Sequence, residues 1–122
     1  MSLIHELARC APYIEAALEY SGGTHTVDDV AREIIAGKLQ LWPGRQSAIV
    51  TEIEVYPRMK VIHFFLAGGD LAELQEMTPK IEAWGKAHGC SRASLAGRRG
   101  WERSFLTREG YRPMWHVLAK EI

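Results

Sequence analysis

The chain has 122 residues, of which 47% are hydrophobic and 25% charged, with a formal net charge of zero. That is enough apolar material for one continuous core over residues 1–122, and it is the composition neither of a disordered tail nor of a strongly basic nucleic-acid binder. Two cysteines far apart, Cys10 and Cys90, are read as buried thiols, because they fit neither a disulfide framework nor a zinc site.

The first twelve residues mix His5, Glu6 and Arg9 among apolar ones, unlike a secretory signal, and no stretch is apolar over the roughly 20 residues a membrane span needs. The expectation is a cytoplasmic protein. Leu3, Leu7, Ala11, Ile14 and Leu18 recur at helical spacing up to about Tyr20, with Pro12 expected near a first turn. After Ser21-Gly22-Gly23, Thr26 and Asp29 have the form of a capping box ahead of Val27, Val30, Ile34 and Ile35, and Gly37 stops this second helix.

Strands are expected around Leu39–Leu41, over Ile49–Tyr56 and over Met59–Ala67, separated by Pro43-Gly44 and Tyr56-Pro57-Arg58. The connections are short, so the three should be antiparallel neighbours. Leu71, Leu74, Met77, Ile81 and Trp84 then mark a helix, with Thr78-Pro79 expected to kink or restart it and Gly89 to end it. A strand over Arg92–Gly97, a helix over Trp101–Glu109 closed by Gly110, and a last strand over Met114–Ala119 complete the order.

Several residues in this order carry chemistry. Glu52 and Glu54 fall on one face of an interior strand, where burial and like charge raise a carboxylate pKa and make a candidate base; the alternative is a solvated or arginine-paired face. His63 lies in the next strand and is a second candidate base, or a hydrogen-bonded core histidine. Tyr56 and Tyr111 are candidate phenolic acids. Basic residues crowd the end of the chain, from Arg92 to Lys120, and Gly97-Arg98-Arg99-Gly100-Trp101 brings two guanidinium groups between glycines ahead of a helix. That run suits a phosphate or carboxylate, or an ion-pair network with Glu52 and Glu54. The four tryptophans read as core or interface aromatics.

The stretch Ala83-Trp84-Gly85-Lys86-Ala87-His88-Gly89-Cys90 through Gly110-Tyr111-Arg112 resembles the C-terminal half of the GNAT (GCN5-related N-acetyltransferase) superfamily. Small size together with Gly97–Trp101 is similar to the short GNAT-like proteins of phages and prophages. The resemblance implies an α/β (α+β) three-layer domain with a mixed, mostly antiparallel sheet between helices, without the family's first strand and with or without its last. It implies acetyl-CoA as donor, an amine acceptor, and a cofactor site at Ala67, Gly68, Gly69, Arg98 and Arg99, with Glu52, Glu54 and His63 as candidate catalytic groups. It also implies that Tyr111 fills a structural aromatic position. The chain departs from the family in three places. The stretch Ala67–Leu74 lacks the usual spaced glycines and carries Asp70 and Glu73 as helix caps, Leu106 stands where many members have a tyrosine acid, and Arg99 stands where an asparagine is frequent.

Two readings follow. One is an N-acetyltransferase with a reduced site. The other is a non-catalytic GNAT-like phage accessory or virion-associated binding protein, with a second copy or a phage protein as partner, placed in the host cytoplasm or the virion. Binding to nucleic acid through the C-terminal arginines is the weakest reading, and no membrane partner is expected.

Overall fold

In a computed structural model, which describes residues 2–97 and 104–122, four strands and four helices follow in the order α1 (Leu3–Leu18), α2 (Val27–Ile35), β1 (Gln40–Pro43), β2 (Ser47–Val55), β3 (Lys60–Gly69), α3 (Leu71–Ala87), β4 (Cys90–Leu95) and α4 (Phe105–Arg108). The strands form one sheet in the order β1-β2-β3-β4. The first three are antiparallel neighbours and β4 lies parallel to β3, which the α3 crossover requires. A GNAT-like α+β arrangement with a mixed sheet between helices is therefore the fold found.

Each face of the sheet carries its own core. Against α1 and α2, Leu7, Cys10, Ile14, Val30 and Ile34 pack on Ala48, Val50 and Leu66. Against α3, Leu74 and Ile81 pack on Ile49, Ile62 and Phe64, with Trp42 and Trp84 meeting edge to face at 5.2 Å. Burying one such aliphatic side chain contributes about 1.5–3 kcal/mol, so both helical layers are held to the sheet independently. Both cysteines are buried and free.

Local signals set the helix starts. Ser2 caps α1, and at α2 the Thr26 hydroxyl accepts from the Asp29 amide at 3.2 Å while the Asp29 carboxylate accepts from the Thr26 amide at 2.9 Å. Pro12 does not sit where expected, lying inside α1 rather than at its start, and of the two outcomes expected at Pro79 the restart does not occur, since α3 runs through it. A proline deprives the carbonyl four residues earlier of its donor. Here those carbonyls belong to Ala8 and Gln75, both on exposed residues where water replaces the lost bond. Thr78 is accordingly no cap: it is buried within α3 and its hydroxyl donates to the Leu74 carbonyl at 2.8 Å.

Toward the C-terminus, β4 begins and ends two residues earlier than expected, and α4 is a single short turn capped by Ser104, followed by Gly110 at φ +96°. The Trp101 end of the expected helix lies outside the described residues. The expected last strand does not form: residues 111–122 carry neither helix nor strand, and Trp115 is exposed rather than in the chain's own core.

Candidate functional site

The site arises where two parallel strands part. β3 pairs with β4 from Lys60 to Phe64, but β4 ends at Leu95 whereas β3 continues to Gly69. Past Phe64, every second backbone amide of β3 therefore points away from β2 toward an edge without a strand partner among the described residues. A cleft of about 820 Å³ opens there, large enough for a small-molecule ligand. Its walls include Ala17 of α1, Leu71 and Leu74 of α3 and Leu106 of α4, and Ala67, Gly68 and Gly69 lie along it.

His63 stands beside the point of separation and is part of the cleft wall. Its cross-strand partner on β2 is Glu52, its partner on β4 is Ser94, and its Nδ1 lies 2.9 Å from the Ser94 hydroxyl. A polar row, Glu52–His63–Ser94, thus crosses three strands. It faces the α1/α2 side because β3 carries a bulge. Val50 pairs with Leu66 but Thr51 with Phe64, leaving Phe65 as the extra residue. Burial first, and the neighbouring Glu54 second, push the Glu52 carboxyl above its usual range, while His63 and His25 draw it down. Glu54 follows on the same face, one step further along β2. His25, ahead of α2, stacks edge-on against Phe65 at 4.9 Å and lies 3.8 Å from Glu33, closing the α2 side of the row.

The start of α3, to which the GNAT resemblance assigns a diphosphate, is built differently. Asp70 caps the helix, its carboxylate accepting from the Glu73 amide at 2.9 Å, and the Asp70 amide is taken by the Gln46 carbonyl at 3.0 Å. Glu73, expected to cap the same helix, turns instead to the β1–β2 turn. It accepts from the Arg45 and Gln46 amides at 2.9 Å each and from the Ser47 hydroxyl, and these bonds hold its pKa at about 2. Gly68 is fixed by packing, since a Cβ there would sit 2.3 Å from the Tyr13 carbonyl of α1. Gly69 has φ +113°, and its missing Cβ leaves room for the Gln46 carbonyl. The cleft is largely apolar, whereas the start of α3 presents a carboxylate and few uncommitted amides. Arg98 and Arg99 lie outside the described residues.

Of the phenols, Tyr56 sits at the exposed β2–β3 turn away from the cleft, with Glu54 raising its pKa. Tyr111 borders the cleft and donates to Glu82 of α3; burial and that carboxylate push its pKa far up, so it stays protonated. Leu106 is buried on the cleft wall and offers no proton. Sequence reasoning missed Ser94 and Glu82, single polar residues in apolar surroundings whose only signal is register. Among the described residues there is no cluster suited to a metal ion, and no helix is long and apolar enough to cross a membrane.

No protein-family profile matches the chain, and neither does any curated protein sequence. Solved structures do. A possible acetyltransferase from Clostridium difficile superposes with a TM-score of 0.69 at 10% identity, covering 99% of this chain and 94% of that one. A Trypanosoma brucei acetyltransferase gives 0.62 at 11% identity over 92% and 94%, and a probable acetyltransferase gives 0.65 at 10% identity over 100% and 93%. At such identities the likeness establishes a shared fold.

Proposed function

We propose that the chain is an N-acyltransferase that moves an acetyl group from a CoA thioester to an amine, with Glu52 and His63 as its proton-accepting pair. The observation that carries this reading is His63 on the wall of a largely apolar cleft formed by parting parallel strands, with Glu52 as its cross-strand partner. The names of the structural neighbours agree with it.

The thioester supplies an electrophilic carbonyl and a thiolate leaving group. An amine is protonated at neutral pH and attacks only after losing a proton, and a carboxylate raised by burial is suited to take it. Glu52 lies beside His63, so the proton has two acceptors in one row. The amides of β3 past Phe64 that have no strand partner among the described residues lie along the cleft, where they can donate to the oxygen that becomes negative as nitrogen bonds to carbon. The C–S bond then breaks, and the departing sulfur takes up a proton equivalent to the one nitrogen lost. Tyr111, engaged with Glu82, is not needed for that step.

A second reading, a GNAT-like binding or assembly module without turnover, is favoured by one observation: the Asp70 carboxylate sits on the helix start where a diphosphate would lie. Calorimetric titration with acetyl-CoA at low ionic strength separates the two. Saturable heat with a Kd below roughly 1 mM, about 4 kcal/mol of affinity, supports the transferase; absence of heat and of any thermal shift sinks it in favour of the binding module.

A further inference from the structure

The cleft has a mouth and a floor of different character. Tyr20 at the end of α1 and Val117 of the C-terminal segment line it and are 60% and 77% exposed, which marks the mouth. Ile49, Phe64 and Leu74 also line it, yet they belong to the core packed against α3. With Thr78, Phe105 and Leu106 they are only 1–7% exposed and form the floor. His63 faces the α1/α2 side, so the cleft passes through the gap between β3 and β4 from one face of the sheet to the other.

That floor has little to offer a polar ligand. The Thr78 hydroxyl donates within its own helix, to the Leu74 carbonyl at 2.8 Å. Among the described residues no buried side-chain nitrogen or oxygen lacks a partner. Water gains no hydrogen bonds from such walls, whereas hydrocarbon that leaves solvent to lie against them gains roughly fourfold in affinity per methylene. An acetyl group brings a single methyl.

We infer that the acyl group this cleft takes is longer than acetyl, a straight chain of about four to eight carbons, within the capacity of a cleft of about 820 Å³. This rests on the transferase reading and names its donor. The two limbs of the thioester sort by chemistry. Pantetheine carries amide groups, which need hydrogen-bond partners and take the backbone edge of β3 past Phe64; the acyl chain needs none and takes the floor. The bond changes are those of acetyl transfer: nitrogen bonds to the acyl carbon, the C–S bond breaks, and the departing thiolate is protonated.

Calorimetric titration of the full chain with acetyl-, butyryl- and hexanoyl-CoA, repeated on Leu106→Phe, tests this. Affinity should rise along the series, by at least about tenfold from acetyl to hexanoyl. In the variant, whose larger ring takes up floor space, the hexanoyl-to-acetyl ratio should drop by at least about threefold. Methyl NMR of the native chain needs no variant: the Ile49, Leu74 and Leu106 methyls should shift more with hexanoyl-CoA than with acetyl-CoA. Acetyl-CoA binding as tightly as hexanoyl-CoA, or more so, overturns the inference and leaves the transferase reading standing, while binding of none of the three overturns both. A chain-length preference that persists in Leu106→Phe and leaves those methyls unmoved overturns the inference too, because the chain then lies elsewhere.

Discussion

Glu52 and His63 are direct cross-strand partners on β2 and β3, facing the α1/α2 side of the sheet where β3 and β4 begin to part. Their placement sets a carboxylate, an imidazole and the Ser94 hydroxyl in one polar row. It also lets function and stability be separated at one residue.

Glu52→Gln keeps the shape and removes the carboxylate, so acetyl transfer should fall by about 10²–10⁴-fold, the usual range for a lost general base. Its folding effect has the opposite sign. A carboxyl with a raised folded-state pKa favours the native state most when protonated, and that stability is lost as pH rises through the raised value. The variant should therefore melt at or above the native temperature at pH 7. A variant that keeps full activity excludes Glu52 as the base.

Ser94 acts on His63 rather than on a ligand. Ser94→Ala removes the partner 2.9 Å from Nδ1, and a transfer rate lower by about tenfold is expected, with Ser94→Thr restoring it. The direct readout is nitrogen NMR of the imidazole, in which the tautomer populations should change in the alanine variant and return with threonine. Unchanged nitrogen shifts would show that the hydroxyl does not orient the ring.

Asp70→Ser retains a helix cap but discharges the start of α3. Acetyl-CoA should bind several-fold more tightly to this variant, while acetyl-pantetheine, which has no diphosphate, should bind as before. In the native protein the two donors are expected within about tenfold of each other, or about 1.4 kcal/mol. A native preference for CoA far above that would place a diphosphate cradle elsewhere.

Glu73 couples α3 to the β1–β2 turn, and its folded pKa of about 2 lies below the ordinary 4.5. A depressed carboxylate pKa adds stability that is complete above the ordinary value and disappears as pH falls through the folded one. Thermal melts of the native protein should weaken between pH 4.5 and 2. Glu73→Gln should start less stable and show a shallower decline across that window. Parallel curves for the two proteins would contradict the assignment.

Gly68→Ala tests the seat of α1. The added Cβ would lie 2.3 Å from a helix carbonyl, and helix backbone yields only by moving α1, so a loss of about 1–3 kcal/mol is expected in denaturant melts. An unaffected midpoint would mean that α1 is loosely held.

Much of this was legible in the residues themselves. The Thr26–Asp29 box, the alternation of Ile49 to Val55 and the apolar run of β3 speak through local chemistry, and each forms as read. Pro12 and Pro79 misled because a breaker signals cost, and the cost vanishes when the orphaned carbonyl faces water. Met114–Ala119 has strand composition, yet it joins no ladder among the described residues. Ser94 and the extra residue Phe65 belong to register between distant strands, which no local pattern records. Glu73 reads as a cap from its spacing, yet a closer set of donors at Arg45, Gln46 and Ser47 wins its oxygens.

The bulge at Phe65 is a change of phase. With strict one-to-one pairing, the count that sets Val50 against Leu66 would bring Phe64 to Glu52 and turn His63 to the α3 side, among Ile49, Leu74 and Ile81. Whether Phe65 is looped out or paired thus decides whether the imidazole meets a carboxylate or a wall of hydrocarbon. Deleting Phe65 would turn Val50–Leu66, Thr51–Phe64 and Glu52–His63 into consecutive rungs of a regular ladder, keeping the meeting of carboxylate and imidazole while removing the irregularity that Phe65 makes.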